Sequence, residues 1–263
     1  MFPPTRIICL TEETVETLYL LGEEERIVGI SGYVVRPPRA RREKPRVSAF
    51  TSADIPKILD LKPDLVLTFS DLQADIVATL IRYGIEVHAF NQRTIMEILD
   101  MIRMLGALVG ATDRADHLAE DLAASIVSAR ERAAQLPRRP KVYFEEWDDP
   151  MISCIGWVSE LIDAAGGIDI FADRASCKSA KDRIVTAEEV IRRDAKRLGF
   201  DRIPAAPERR SLRDQIVGDL AAGPGGSNRW TCGVASDRQK FRRRDFQRVH
   251  NDWLRSVEIQ DSI

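Results

Sequence analysis

Short apolar runs alternate with helix-forming stretches through the first ninety residues, and this alternation constrains the fold more than any other feature of the chain. Residues 7–10 (Ile-Ile-Cys-Leu) run straight into a helical stretch, residues 26–30 end in Ser31-Gly32-Tyr33, and residues 62–67 and 84–87 supply two further strands. Strands separated by helices predict a parallel sheet, because a crossover helix returns the chain to start each strand in the same direction. Ligands of such sheets lie in the crevice beyond the carboxyl ends of the strands. The loops after Leu10, Ile30, Leu67 and His88 are therefore the candidate functional loops.

The helical stretches can be placed by their signals. Glu12, Glu13 and Glu16 occupy the early turns of the first, where acidic groups suit the helix dipole, Leu18 and Leu21 face inward, and Gly22 stops it. Residues 36–46 carry three prolines and six basic residues and read as an exposed loop over the sheet edge. Ser52 is positioned to cap a short helix with Ile55, Ile58 and Leu59, which Pro63 ends. Residues 71–83 form the crossover between the third and fourth strands, and Thr94 with Glu97 makes a capping box for a helix to about Gly110. From Thr112-Asp113 to about Gln135 an apolar stripe (Ala115, Leu118, Ala119, Leu122, Ile126, Ala129, Ala133) marks a rod of about 33 Å. Pro137 and Pro140 end it, and Lys141-Val142-Tyr143-Phe144-Glu145 restarts a strand.

A second lobe then begins much like the first: a strand, a loop with Trp147, Pro150 and Trp157, a helix to about Ala165, the Gly166-Gly167 break, and the apolar piece 168–171. Thr186 and Glu189 make another capping box, after which a strand is due past Arg193 and none is legible. The fold class is thus α/β, two Rossmann-like lobes with parallel sheets joined by a single long helix, the second lobe incomplete. The expected organisation is an N-terminal lobe over 1–111, a linking helix over 112–136, a partial C-terminal lobe over 137–193 and an atypical basic tail over 194–263.

Composition removes several classes of function. No run of about 18 apolar residues predicts a membrane-spanning helix. The opening Met1-Phe2-Pro3-Pro4-Thr5-Arg6 leaves no room for an export signal, so the chain as written is expected in the cytoplasm; a start site placed further upstream would make it periplasmic or surface-bound. Cys9, Cys154, Cys177 and Cys232 are widely spaced, and His88, His117 and His250 are scattered, which argues against a zinc site, a disulfide framework or a metal cluster. The net charge of −2 selects no polyanionic partner, although residues 192–263 carry sixteen basic against ten acidic residues. Catalytic signatures are missing too: no GxGxxG, GxxxxGK[ST] or GxSxG, and no histidine paired with a nucleophile at readable spacing. An enzyme therefore ranks well below a binding module.

Four pieces carry a family resemblance: Arg6-Ile7-Ile8-Cys9-Leu10 with Thr14 and Glu16 before Leu21-Gly22; Val28-Gly29-Ile30-Ser31-Gly32-Tyr33 before Pro37-Pro38; Leu61-Lys62-Pro63-Asp64-Leu65-Val66; and Gly84-Ile85-Glu86-Val87. In this order and at these separations, residues 6–191 resemble the substrate-binding proteins of ABC importers for cobalamin, haem and ferric siderophores. The Tyr33 and Pro37-Pro38 segment is most similar to the cobalamin binders.

The resemblance implies one corrinoid, tetrapyrrole or siderophore ligand held between the lobes without a resident cofactor, delivery to an ABC permease, and action as a monomer. It implies ligand-facing rings at Tyr33, Phe50 and Phe69 on the first lobe and at Trp147 and Trp157 on the second. Rings suit such a cargo, because they cover a broad apolar disc at low entropic cost. It also implies transporter docking through acidic side chains, with Asp75 and Glu16 as candidates. Each residue has a plainer reading. Phe50, Phe69 and Trp157 fit core positions as well as a ligand wall, and Asp75 and Glu16 fit solvated charge.

Beyond Arg193 the family pattern fails. The arginine-rich stretch and Gly223-Pro224-Gly225-Gly226-Ser227-Asn228 are what a shifted reading frame from about residue 194 would generate, which makes a non-functional product one alternative. A cytosolic corrinoid- or haem-handling protein of the same fold is another. Phe241-Arg242-Arg243-Arg244 is basic enough to meet phosphate, but with no supporting fold it reads as a solvated tail and no nucleic-acid partner is expected.

Overall fold

The structure is a computed structural model that describes residues 2–195 and the strand backbone of residues 197–200. The basic tail beyond residue 200, including Gly223–Asn228, Phe241–Arg244, Cys232 and His250, lies outside the described residues. The chain divides into two compact units, with the boundary between Ala129 and Arg130.

The first unit is built on strands β1 (Ile7–Cys9), β2 (Ile27–Ser31), β3 (Arg46–Ser48), β4 (Leu65–Phe69) and β5 (Val87–Phe90). All pair in parallel, in the order β3-β2-β1-β4-β5. Helices α1 (Glu12–Leu20), α2 (Ala40–Glu43), α3 (Ile55–Asp60), α4 (Ala74–Arg82), α5 (Ile95–Val109) and α6 (Thr112–Ala133) follow the strands. Alternation along β1 and β4 sorts the core onto the two sheet faces. Ile7, Cys9, Leu65 and Leu67 pack with Leu18 of α1 and Leu105 of α5, while Ile8, Leu10 and Val66 pack with Ile58 of α3 and Leu80 of α4. Gly106 marks the close passage of α5 over α6, since a Cβ there would lie 2.1 Å from that of Ala115.

Two readings of this unit are corrected. The basic segment is more than a loop: it folds into α2 and leads into the edge strand β3. Tyr19 donates its hydroxyl to Glu43 at 2.7 Å, and Arg39 reaches Glu24 at 2.7 Å while lying over the Tyr19 ring, so charge and ring contacts fasten the segment onto α1. The cap of α3 is Asp54, whose carboxylate accepts from Lys57 N–H; Ser52 sits too far upstream. The Thr94–Glu97 capping box is formed in full.

The second unit is organised around β6 (Lys141–Asp148), which turns into β7 (Met151–Ser153) and is followed by α7 (Gly156–Ala164), β8 (Ile168–Asp169), α8 (Ala172–Ala175), α9 (Ala187–Arg192) and β9 (Arg197–Phe200). Every other strand of this sheet pairs with β6: β7 antiparallel, β8 and β9 parallel. Tyr143 packs with Phe171, Val185 and Val190 on one face, and Val142 and Phe144 pack with Cys154, Val158 and Ile162 on the other.

Three expectations fail here. A strand does follow Arg193: Val142–Glu145 of β6 pair with Arg197–Phe200. Arg-Leu-Gly-Phe lacks the β-branched run by which strands are recognised, and the pairing supplies the order that the sequence does not advertise. Trp147 lies in β6, within a hairpin with β7, not in a loop. The second capping box is half made: Thr186 accepts from Glu189 N–H at 3.2 Å, but the Glu189 carboxylate turns to Arg174 at 2.6 Å.

Candidate functional site

The strand order reverses between β1 and β4, so the crevice at the carboxyl edge of the first sheet opens beside the loops after these two strands. Three of the expected rings stand on this edge: Tyr33 two residues past β2, Phe50 two residues past β3, and Phe69 as the last residue of β4. All three are half-buried. Tyr33 is set by a tight turn in which its N–H donates to Ser31 Oγ at 3.2 Å. Phe69 packs on the core below it and lies 5.1 Å from the Arg93 guanidinium, a cation–π contact that occupies part of its surface.

Gln73, which nothing in its sequence context singles out, ties the edge together. It is fully buried; its Nε2 donates to the carbonyls of Leu10 at 3.2 Å and Phe50 at 2.8 Å, and its Oε1 accepts from Phe69 N–H at 3.0 Å. Between Phe69 and Gln73 the backbone contorts: Ser70 has φ 56° and ψ −179°, a region that favours glycine. It is held there because Ser70 N–H donates to Phe90 O at 2.8 Å and its hydroxyl accepts from Leu72 N–H at 3.3 Å.

Polar groups crowd the same edge. Gln92 Nε2 donates to Glu13 at 3.3 Å, and burial holds the Glu13 carboxyl above the usual carboxylate range. Burial also raises Glu16, against the pull of Arg36, which bonds it at 3.1 Å. Glu16 thereby joins α1 to the loop after β2. Ser48 Oγ, Gln92 Oε1 and Arg93 Nε are buried and have no hydrogen-bond partner among the described residues, a concentration of unmet polar atoms uncommon in a core. Asp75, in the first turn of α4, is exposed.

In the second unit Trp147 is 46% exposed, its indole N–H donating to Asp149 O at 2.9 Å, while Trp157 packs beside Cys154, Val158 and Ile162. The hairpin bearing Trp147 is anchored by Arg183, which is 2% exposed and bonds Glu146 and the Ser153 carbonyl, each at 2.6 Å. Among the described residues no group of three or more His, Cys, Asp or Glu side chains is arranged to hold a metal ion, and no helix is long and apolar enough to cross a membrane.

A doubly wound sheet with three rings along its carboxyl edge offers a crevice of the kind in which such sheets bind ligands. Residues 7–199 match the periplasmic binding protein family, and the chain belongs to it. The match extends past Arg193, so the family pattern runs further than the motifs alone suggest. Among curated relatives, the vitamin B12-binding protein of Vibrio cholerae is 30% identical over 176 residues, covering 65% of this chain and 63% of that protein. This chain thus aligns with less than two thirds of that relative's length. The uncharacterized ABC transporter substrate-binding lipoprotein YvrC of Bacillus subtilis is 26% identical over 79% of this chain and 71% of its own. Among solved structures, a periplasmic heme-binding protein from Pseudomonas aeruginosa shares the fold with a TM-score of 0.69 at 17% identity, over 83% of this chain and 80% of that one.

Proposed function

We propose that this protein captures a corrinoid such as cobalamin, or a related metal chelate, and presents it to an ABC permease without covalent chemistry. The observation that carries this reading is the placement of Tyr33, Phe50 and Phe69 at the carboxyl ends of three strands of one parallel sheet. Rings so placed cover an apolar macrocycle, and at about 25 cal/mol per Å2 partial coverage supplies several kcal/mol against the cost of association. Trp147 and Trp157 are the candidate rings of the second unit. Similarity to a vitamin B12-binding protein and to an ABC transporter substrate-binding lipoprotein supports the same reading.

Asp75 is the preferred docking acid, being exposed at a helix start, whereas Glu16 is committed to Arg36. Titration with cyanocobalamin and, separately, with hemin tests the ligand, with intrinsic tryptophan fluorescence and calorimetry as readouts. Saturable binding of one of them is expected, weakened about tenfold by Tyr33→Ala or Phe50→Ala. No saturable signal with either overturns the proposal.

A further inference from the structure

We infer that Gln73 is a positioning residue that sets the spacing of the Phe50 and Phe69 rings, and so determines how well the first unit's edge fits a flat ligand. This rests on the ligand reading above for its consequence, though not for its geometry.

A primary amide has two donor hydrogens and one oxygen with two lone pairs. Gln73 directs both donors and its oxygen at backbone, and each bond ends beside a different strand: Leu10 O after β1, Phe50 O after β3, Phe69 N–H at the end of β4. Two of the three partners are the backbones of the candidate rings themselves. The bond to Phe50 is the longer reach in topology, because β3 and β4 are separated in the sheet by β2 and β1. No ladder hydrogen bond joins those two strands directly, so the amide is a cross-brace between them. It is also fully desolvated, and a buried amide bond of this kind is costly to leave half made. The contorted Ser70 backbone, fixed by Phe90 O, delivers the side chain into this place.

Glutamate and leucine separate positioning from mere stability. Leucine keeps the approximate volume and removes all three bonds. An ionised glutamate presents only acceptors to the two carbonyls and repels them; once protonated it restores one donor and keeps an acceptor for Phe69 N–H. Burial beside two carbonyl oxygens makes that protonated form accessible at mildly acidic pH.

Two readouts on the full chain test the inference. The first needs no ligand: amide hydrogen exchange of the wild type, Gln73→Leu and Gln73→Glu. Phe69 N–H is expected to be protected in the wild type, with faster exchange in both variants around residues 49–53 and 69–73 at about pH 8. Free exchange of Phe69 N–H in the wild type, or variant effects spread evenly over the unit, overturns the inference even if a variant folds poorly. The second is calorimetric titration with cyanocobalamin and with hemin at a temperature where all three proteins remain folded. Gln73→Leu is expected to weaken binding tenfold or more at every pH; Gln73→Glu is expected to match that loss at about pH 8 and to recover at least threefold, relative to wild type, at about pH 5. Equal affinities in the folded variants overturn the positioning role. If the wild type binds neither ligand, the ligand reading falls alone and the exchange experiment still decides the role of Gln73.

Discussion

The two units close a sheet on both faces by unequal means. In the first, two apolar clusters of twenty and seven buried residues flank five strands; among the described residues of the second, the corresponding clusters hold seven and three. In the second unit charge reaches the core itself. Arg183 is buried against Glu146, Glu189 accepts from Arg174 at 2.6 Å and Arg193 at 3.4 Å, and both of these arginines lie over the Phe171 ring, at 5.5 and 4.4 Å. A core made of volume loses stability with the atoms removed from it, whereas one braced by guanidinium–carboxylate pairs depends on each partner being present.

Substitutions that remove one kind of support from each unit turn this contrast into measurements. The largest effect is expected for Leu67→Ala, in the middle of the first sheet and fully buried, at about 2–5 kcal/mol in urea unfolding. Arg183→Met is expected to cost about 1–3 kcal/mol, because Glu146 and the Ser153 carbonyl lose their partner. The loss should be moderated because Glu146 is one-third exposed, its side chain at 32%. A negligible effect of Arg183→Met would remove the electrostatic half of the comparison.

Gly106→Ala tests close packing in the first unit. Alanine is the better helix former, yet the 2.1 Å approach to Ala115 requires the two helices to separate, so a loss of about 1–3 kcal/mol is expected. Thr94→Ala should cost about 1 kcal/mol and more than Thr186→Ala, since only the first threonine belongs to a reciprocated capping box. Thermal melts of the two variants side by side compare the units at matched chemistry.

The smallest effect belongs to Glu13. Burial raises its folded pKa, so the folded chain holds the proton more tightly than the unfolded chain does. The stability tied to that proton is present in full below the ordinary carboxylate range and is lost as pH rises through the folded value. Glu13→Gln keeps an acceptor for Gln92 and removes the buried charge; it is expected to raise Tm by about 2–4 °C at neutral pH and to give no gain below about pH 4.

The first unit was legible because its apolar runs are short, β-branched and bounded by glycine, proline and capping residues. β3 escaped notice because an edge strand of Arg-Val-Ser, exposed at Arg46, carries too little apolar signal. β9 escaped for a similar reason: Arg-Leu-Gly-Phe carries little strand signal in sequence, and its backbone pairs with β6. Of the edge, the sequence offered rings but not what holds them. Gln73 lies in Ser-Asp-Leu-Gln-Ala, where a glutamine reads as helix surface, and only the turn at Ser70 directs it inward. Arg93 and Gln92 were hidden in the same way, as ordinary polar residues after a strand. Side-chain direction in irregular backbone is set by tertiary contacts, and no periodicity encodes it.

The central place of β6 has a consequence for the order in which the polypeptide emerges from the ribosome. The first sheet has all its strands once Phe90 has been translated, whereas β6 must wait for β8 at Ile168 and for its partner Arg197–Phe200, some fifty residues behind it. At about 5–20 residues per second, that interval leaves one side of a nascent strand unoccupied for seconds while the earlier half is already assembled. A chain released or stalled before Phe200 would carry that bare β6 edge into the cell, so chaperone demand should rise for truncations ending between Asp169 and Ala195 and not for those ending before Lys141.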